Sequence, residues 1–368
     1  MEYLKEASIN GKKVFFPIYF PDATRAVVRS LDSIDLKEAK VEGIVINTYH
    51  LMTQPGTSVI KEIGGVRKYM NWPGLIVSDS GGFQLLSMIY KNKELGTINS
   101  NGVVFHLGSK GEKKKYVFTP EKSIEVQFKL EADLMVCLDD CPAINAKPEE
   151  VELSVNRTIE WAKRGKEEYL KQLEQRKMSD SSRPTLLAVI QGGHDKKLRE
   201  RCGRALVEIG FDGYGFGGWP LDEQGKVNLK ILEFTASLTP DDKLKFALGV
   251  GNPSAIAGGF KVGYHIFDCV LPTRDARHER LYVFAKDPDK ADLLNDEEIH
   301  QFVYIMREKY SRDGSPISEF CDCHTCRNFS RAYLRHLFEI KDSLAWRLAT
   351  IHNLRTYTKL TEVLRTYV

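Results

Sequence analysis

The sequence lacks the features that would place the protein in a membrane or outside the cell. No apolar run in its 368 residues approaches the length that a membrane-spanning helix needs. Residues 1–13 are polar and charged, unlike a signal peptide. Neither sign of charge dominates, because 53 Lys and Arg residues face 50 Asp and Glu residues, so any nucleic-acid contact must come from a local patch. We therefore expect a cytoplasmic protein with no membrane association.

The cysteines do not have the number or the spacing of a disulfide scaffold. There are seven, an odd number, and three of them lie close together as Cys321, Cys323 and Cys326. This C-x-C-x2-C motif indicates a metal site in a cytosolic protein, because a tetrahedral zinc site can take three thiolates from one tight loop. The remaining cysteines are interpreted as small core residues: Cys137, Cys141, Cys202 and Cys269.

Such a site needs a fourth ligand from elsewhere in the chain. His324 is cramped between two cysteines, whereas His336 and His352 lie in the predicted helical segment 327–353. A helix can return a histidine to the loop, and His352 is the preferred ligand. With four protein ligands, the Zn²⁺ ion would be structural rather than catalytic.

Short apolar runs alternate with helical patterns along most of the chain. Nearly every run ends in a polar or glycine-rich group, and eight of them are strand candidates. Their bounds are residues 14–20, 43–46, 75–77, 134–138, 186–190, 213–216, 246–248 and 265–267. The main helical patterns cover residues 120–132, 148–176, 194–209 and 253–262. The alternation predicts an α/β fold with a parallel sheet, and eight units favour a (β/α)8 TIM barrel over a doubly wound open sheet, the alternative.

The pattern divides the chain into a barrel and a C-terminal appendage. The barrel is predicted over residues 1–290, and a zinc-binding helical subdomain packed on it over residues 291–368. Residues 92–118 interrupt the alternation. Turn residues there flank the runs 103–107 and 116–118, which predicts an inserted hairpin.

Carboxylates follow several of the predicted strands. Asp79, Asp139 and Asp268 each stand at the end of an apolar run, where the functional groups of a barrel collect. Carboxylates that face one cavity suit glycosyl chemistry, in which one attacks an anomeric carbon and another moves protons. Asp140 is equally well explained as a turn residue.

A set of motifs extends in a fixed order over about residues 43 to 353. They are NTYHL at 47–51, SDSGGFQ at 78–84, TPEKSIEVQ at 119–127, DDC at 139–141, QGG at 191–193, GG at 217–218, GVG at 249–251, FDCVLPTR at 267–274, CDCHTC at 321–326 and SRAYLRHL at 330–337. The motifs are jointly specific, and through them the chain resembles the tRNA-guanine transglycosylases.

The resemblance implies a role for each matching residue. Asp268 would be the nucleophile that forms a covalent ribosyl-enzyme intermediate, and Asp79 the general acid and base. Asp139, Gln191 and the Gly218 amide would read the edge of the base. The remaining implied groups are the ring sandwich of Phe83 and Leu248, the anticodon-loop contacts Arg274 and Arg277, and the zinc ligands Cys321, Cys323, Cys326 and His352.

The implied reaction exchanges guanine at wobble position 34 of tRNAs with GUN anticodons for a 7-deazaguanine, with preQ1 favoured, in queuosine biosynthesis. The implied partners are the tRNA anticodon loop, guanine and preQ1, and no redox cofactor is expected. The alternatives are a DNA-directed deazaguanine transglycosylase, a non-catalytic RNA-binding subunit and a zinc hydrolase. The three strand-end aspartates argue against the subunit, and a closed metal site argues against the hydrolase.

The sequence departs from the family pattern in places. Trp219 and Leu221 stand where the family usually has smaller residues, which favours a compact base over queuine. Residues 278–320 are divergent, and few residues follow His352. Both RNA docking and a homodimer depend on that region in the family. The archaeal RNA-binding domain has no counterpart in the sequence, so a bacterial type is expected.

Overall fold

Eight parallel strands form a barrel, as the sequence predicts. The computed structural model describes residues 4–107, 114–222, 224–296 and 298–367. The strands are β1 (Ile18–Pro21), β2 (Gly43–Asn47), β3 (Leu75–Asp79), β4 (Leu134–Val136), β5 (Thr185–Ile190), β6 (Gly213–Phe216), β7 (Leu244–Ala247) and β8 (Ile266–Cys269). Each strand pairs with its neighbours in sequence, and β8 pairs with β1. A parallel bridge from Asp22 to Val45 closes the ring between β1 and β2.

Alternate residues of the strands fill the barrel. One cluster of buried side chains comes from the inner face of the strands and includes Ile18, Phe20, Val45, Leu75, Val77, Leu134, Val136, Leu187, Val189, Leu244, Phe246 and Ile266. The intervening residues, such as Tyr19, Ile76 and Phe267, belong to the outer cluster under the helices. The interior is therefore a packed core, and a ligand can enter only where the strands end.

An N-terminal hairpin closes the opposite end of the barrel. Its strands, Glu6–Ile9 and Lys12–Phe15, pair with each other, and Ile9, Val14 and Phe16 join the inner cluster. The apolar run 14–20 is thus shared between this hairpin and β1, although the sequence predicts a single strand there.

The crossover helices begin at capping residues that the sequence supplies. Thr119 accepts a hydrogen bond from the Lys122 amide at 3.2 Å, and proline follows it at the first helical position. Asp195 caps the next but one helix in the same way. The barrel helices are Ser33–Glu38, Thr48–Leu51, Thr57–Ile63, Gly65–Tyr69, Gly82–Lys91, Pro120–Leu130, Pro148–Arg176, Lys196–Ile209, Leu229–Ser237, Pro253–Lys261 and Leu271–Arg277. Short π or 3₁₀ turns cover Met52–Gly56, Lys93–Leu95, Glu308–Tyr310 and Arg365–Tyr367.

The insertion after β3 is larger than the predicted hairpin. Strands Gly102–Leu107 and Lys114–Phe118 form that hairpin, and Gly96–Asn99 adds a third antiparallel strand to it. The turn residues predicted between the runs 103–107 and 116–118 include residues 108–111, which lie outside the described residues. The buried Trp161 of the long helix donates to the Ser100 carbonyl at 2.8 Å and so ties the insertion to the barrel.

The C-terminal region packs on the barrel through one buried helix. Strands Arg280–Phe284 and His300–Tyr304 pair across residue 290, and the domain boundary there stays a prediction. The helices that follow are His324–Asn328, Arg331–Glu339 and Ser343–Leu364. The last of these is buried on nearly every face between residues 348 and 361. Its Tyr357 ring lies 4.8 Å from that of Tyr19 in β1. No helix of the described residues is long and apolar enough to cross a membrane.

Asp133 holds the closed end of the barrel together. Its carboxylate is almost fully buried and accepts hydrogen bonds from Arg67 at 2.6 Å, the Ile76 amide at 2.8 Å and Asn10 at 2.8 Å. These donors come from a helix, from β3 and from the N-terminal hairpin. A buried charge with several partners is costly to neutralise, because its partners lose their acceptor.

Asp133→Asn should lower the free energy of unfolding by roughly 3 kcal/mol. The substitution places an amide N–H group opposite other donors, and it removes the carboxylate that neutralises the charge of Arg67. Urea denaturation would measure this. The control is Asp180→Asn, because Asp180 is fully exposed and its pair with Arg183 should contribute less than about 1 kcal/mol. Equal losses in the two variants would contradict the role given to Asp133.

Candidate active site and metal centre

The strand alternation aims a set of residues into the barrel mouth. In every strand except β4, one further step along the inner face reaches the last inward position at the carboxyl end. These seven positions hold Asp22, Asn47, Asp79, Gln191, Gly217, Leu248 and Asp268, whereas the same step in β4 leads to Leu138, which packs in another cluster. Asp79, Gln191, Leu248 and Asp268 are predicted site residues, so the barrel brings together residues far apart in sequence. Asp22 and Asn47 carry no role in the sequence analysis.

Asp79 is held at the end of β3 by its neighbour in β2. The Asn47 amide donates to Asp79 Oδ2 at 2.7 Å and to Gln84 Oε1 at 2.6 Å. Gly81 follows with a φ of +83°, and a Cβ there would lie 2.6 Å from the Tyr49 amide nitrogen. The glycine is therefore required for the tight turn that leads from Asp79 into the next helix.

Asp268 ends β8 with one carboxylate oxygen already engaged. The Gly249 amide donates to Asp268 Oδ1 at 2.9 Å. Gly249 follows β7 with a φ of +72°, a conformation that suits glycine. No hydrogen bond from the described residues reaches Oδ2. One oxygen is thus oriented by the backbone, and the other is available to a ligand.

Asp139 and Gln191 form a buried pair beside these two carboxylates. Gln191 Nε2 donates to Asp139 Oδ2 at 2.7 Å, and Gln191 Oε1 has no hydrogen-bond partner among the described residues. A Cβ at Gly217 would lie 2.5 Å from Gln191 Nε2, so glycine is needed there. A buried acceptor without a donor is unusual and points to a ligand that supplies one. A cavity of about 220 Å³ adjoins Gln191, Gly218 and Trp219.

Asp140 has a structural role. It is fully buried and accepts hydrogen bonds from Tyr90 at 2.7 Å and Arg157 at 2.5 Å. The Thr158 hydroxyl accepts from its backbone amide at 3.0 Å. These contacts join two helices behind the site. Asp140 therefore has a structural role, although as a buried ion-pair partner rather than as the turn residue that the sequence also allowed.

Burial and mutual repulsion make the three carboxyls of the mouth weak acids. Burial raises the pKa of Asp79 to about 6, and that of Asp139 and of Asp268 to about 7. The charge of Asp79 contributes to the raised pKa of both other groups, and the charge of Asp22 contributes to that of Asp79 and Asp268. Such a cluster can hold and transfer protons near neutral pH, as general acid and base catalysis requires.

Large apolar side chains border the same mouth. Phe83 lies in the first turn of the helix after β3, and its ring meets that of Trp219 edge-on at 5.6 Å between centroids. The Trp219 indole donates to the Pro142 carbonyl at 3.2 Å. Leu248 packs against the inner cluster of the barrel. The predicted sandwich of Phe83 and Leu248 stays a prediction, and Trp219 is fixed beside Phe83.

Cationic side chains gather at the rim formed by β8 and β1. Arg274 is exposed, and Arg277 donates to the Thr273 carbonyl at 2.7 Å. Burial and then the charge of Arg29 lower the pKa of Arg277. Burial and then the charge of Arg25 lower that of nearby His50. Arg277 therefore has an exposed cationic neighbour in Arg29, and Arg25 is exposed near His50. Neither residue could be predicted from the sequence, because neither belongs to a recognised motif.

The predicted metal ligands meet in one group. The ligand atoms of Cys321, Cys323, Cys326 and His352 all lie within 4.8 Å of one another. His352 Nδ1 is 3.2 Å from Cys326 Sγ and 3.8 Å from Cys323 Sγ. Three thiolates and one imidazole fit a tetrahedral metal ion, and the set of four protein donors fills its coordination. Neither His324 nor His336 belongs to the group.

The histidine of this group also fastens it to the barrel. His352 Nε2 donates to the Tyr282 carbonyl at 2.8 Å, which leaves Nδ1 for the metal. The next residue, Asn353, accepts from the Tyr282 amide at 3.0 Å and donates to the Pro272 carbonyl at 3.0 Å. Pro272 lies between Asp268 and Arg274, so the metal group supports the segment that carries the arginines.

Comparison with known proteins agrees with this geometry. The family model of queuine tRNA-ribosyltransferase matches residues 4–368. The queuine tRNA-ribosyltransferase of Caldanaerobacter subterraneus is 39% identical over 349 residues, which are 95% of this chain and 85% of that protein. The corresponding proteins of Methylacidiphilum infernorum (37% over 352 residues, 96% and 88%) and Staphylococcus aureus (37% over 349 residues, 95% and 84%) are similarly close. The chain therefore belongs to the queuine tRNA-ribosyltransferase family.

Proposed function

We propose that the protein exchanges guanine at wobble position 34 of tRNAs with GUN anticodons for the 7-deazaguanine preQ1, in queuosine biosynthesis. The observation that carries this proposal is the set of three weakly acidic carboxyls, Asp79, Asp139 and Asp268, in one barrel mouth. A hydrolase at the metal is disfavoured, because four protein donors leave no open position.

The reaction consists of two displacements at one carbon. Asp268 Oδ2, which no described residue engages, attacks C1′ of the ribose while the bond from C1′ to N9 of guanine breaks. Asp79 gives its proton to the departing guanine. The incoming base then returns a proton to Asp79, and its N9 attacks C1′ and releases Asp268. Two inversions retain the configuration at C1′.

The base is read on the edge that guanine and 7-deazaguanine share. The Asp139 carboxylate accepts from ring and exocyclic N–H groups of the base, and the unpartnered Gln191 Oε1 accepts another. The Gly218 amide donates to the base carbonyl. Phe83 and Leu248 cover the two faces of the ring. Because these groups do not touch position 7, they accept both the leaving and the incoming base.

The size of the base is limited at Trp219. Its indole is held by the Pro142 carbonyl and by the Phe83 ring, so a large side chain occupies the border of the pocket. This supports a compact base such as preQ1 over queuine.

The nucleotide reaches the site from an unpaired loop. A base must leave its stack before its glycosidic bond can be attacked. In an anticodon loop the bases are unpaired, so this step requires little free energy. Arg274 and Arg277, joined by Arg25 and Arg29, bind the phosphates around the target. This patch supplies the local positive charge that the nearly neutral composition requires.

Cys321, Cys323, Cys326 and His352 would hold a structural Zn²⁺ ion, which would supply no chemistry to the reaction. The ion would fix the middle of the C-terminal helix through His352, and Asn353 on that helix holds Pro272 next to the arginine segment.

Asp268→Asn should reduce guanine exchange into an unmodified GUN anticodon tRNA by on the order of 10³-fold or more, because an amide is a poor nucleophile. Wild-type protein trapped during turnover should carry RNA through denaturing electrophoresis, and the variant should not. An unchanged urea midpoint would show that the variant is folded. Exchange at the wild-type rate would reject Asp268 as nucleophile.

The rate of adduct formation should be highest between about pH 6 and 7. Below about 6 both Asp79 and Asp268 are protonated and no nucleophile is present, whereas above about 7 both are ionised and no acid remains. Between these values the pair shares one proton, and the reactive form is the minor one that carries the proton on Asp79 and the charge on Asp268. Single-turnover adduct formation from pH 5 to 9 would measure this. In Asp79→Asn the rate should be lower and should no longer fall at high pH. A flat wild-type profile would contradict the shared proton.

Cys323→Ser should remove bound zinc, lower the unfolding temperature and weaken tRNA binding, because the C-terminal helix loses its anchor. Metal analysis, thermal unfolding and a binding titration would measure these effects. Cys202→Ala is the control, since Cys202 is fully buried outside the metal group and should leave zinc content unchanged. Full zinc content in Cys323→Ser would contradict the assignment.

A further inference from the structure

Asp22 stands at the barrel mouth beside the nucleophile. It directly follows β1, in which Ile18 and Phe20 face the barrel interior, so the alternation turns Asp22 inward as well. β1 pairs with β8 so that Phe20 lies opposite Asp268, and Asp22 itself bridges to Val45 in β2. Asp22 is therefore one diagonal step from Asp268.

One oxygen of this carboxylate is available. The Thr24 amide donates to Asp22 Oδ1 at 3.2 Å, and the Thr24 hydroxyl donates to the same oxygen. No donor from the described ranges reaches Oδ2, and no ion pair involving Asp22 occurs among those residues. The side chain is half-buried. The turn with Thr24 explains the contacts of Oδ1 but leaves Oδ2 without a donor among the described residues.

The position of the base in the mouth determines which part of the nucleotide lies next to Asp22. The groups that read the base, Asp139, Gln191 and Gly218, follow β4, β5 and β6, and the nucleophile ends β8. With C1′ at Asp268, the base extends toward β4–β6. The ribose ring must then extend the other way, toward β1 and β2. Asp22 lies there, between the nucleophile and the arginines that bind phosphate.

Within a nucleic-acid chain, only one group of the ribose can donate a hydrogen bond to Asp22. Within the chain the 3′ and 5′ oxygens of the ribose are esterified, so the 2′-hydroxyl is its only hydrogen-bond donor. This hydroxyl is on the carbon next to C1′. Carboxylates commonly bind ribose hydroxyls, and a 2-hydroxyl contact in glycosyl transfer strengthens in the transition state. The 2′-hydroxyl also distinguishes RNA from DNA.

We propose that Asp22 Oδ2 accepts a hydrogen bond from the 2′-hydroxyl of the target nucleotide, which makes the site selective for RNA over DNA. This inference rests on the proposed function, because it places C1′ at Asp268. The electrostatics agree with the location, since the charge of Asp22 acts on Asp79, on Asp268 and on Arg277.

The test compares two substrates with two proteins. The substrates are an anticodon stem-loop RNA with guanosine at the target position and the same RNA with 2′-deoxyguanosine there. The proteins are the wild type and Asp22→Ala, and the readout is the single-turnover rate of covalent adduct formation. The wild type should lose about 10- to 100-fold on the deoxy substrate, as for a hydrogen bond to a charged group. Asp22→Ala should lose a similar factor on the ribose substrate and nothing further on the deoxy substrate.

Two controls separate this contact from other effects. Asp22→Asn keeps an acceptor for Thr24 and should fold normally, yet it should discriminate less between the substrates than the wild type does. A 2′-deoxy sugar at the following nucleotide should affect wild type and Asp22→Ala equally. If Asp22 only adjusts the charge around Asp268, the variant will lose rate on both substrates and keep its full preference for ribose. That result would overturn the inference and leave the proposed function standing, whereas no adduct from wild type with the ribose substrate would overturn both.

Discussion

The structure depends on one geometric constraint, which is that every second residue of a closed barrel must point inward. The interior is filled by apolar side chains at these positions, from the hairpin residue Phe16 at one end to Phe246 near the other. Polar groups can occupy inward positions only beyond the end of this apolar core, at the carboxyl ends of the strands. The same constraint that packs the core therefore brings Asp79, Gln191 and Asp268 together, although the sequence separates them widely.

This gathering places like charges close together, which costs stability. Three carboxyls with a raised pKa make the folded state less favourable as the pH rises toward 7, because the unfolded chain ionises them near pH 4 at no cost. Contacts elsewhere offset that cost. Asp133 at the closed end is satisfied by three donors, and Asp140 behind the site is paired with Arg157. Buried carboxylates away from the mouth are thus paired, and those at the mouth keep atoms free for a ligand.

The sequence predicted the parallel strands well because strands buried on both faces appear as continuous apolar runs. For the same reason the boundary between the N-terminal hairpin and β1 could not be predicted. An unbroken apolar run over residues 14–20 does not show where one strand ends and the next begins. The polar strand Gly96–Asn99 gave no periodic signal. Asp22 could not be singled out from the sequence because Pro21 separates it from the apolar run and it belongs to no recognised motif, although it ends an inner strand face just as Asp268 does. The cysteine spacing predicted the metal group, whereas the Tyr282 carbonyl that orients His352 is a backbone atom and leaves no trace in the sequence.

The metal group and the reaction site are joined by a short path of backbone contacts. His352 and Asn353 are consecutive residues of one helix, and together they bind both the carbonyl and the amide of Tyr282. Asn353 also binds the Pro272 carbonyl, four residues after Asp268 in the chain and two before Arg274. Asp268, the proposed nucleophile, is fixed independently by strand pairing and by the Gly249 amide. The arginine segment has no such sheet support, so its position relies on the helix that carries the metal ligand His352. A metal ion in this closed group would therefore contribute to the proposed reaction by holding the arginines that are proposed to bind RNA at a constant distance from Asp268.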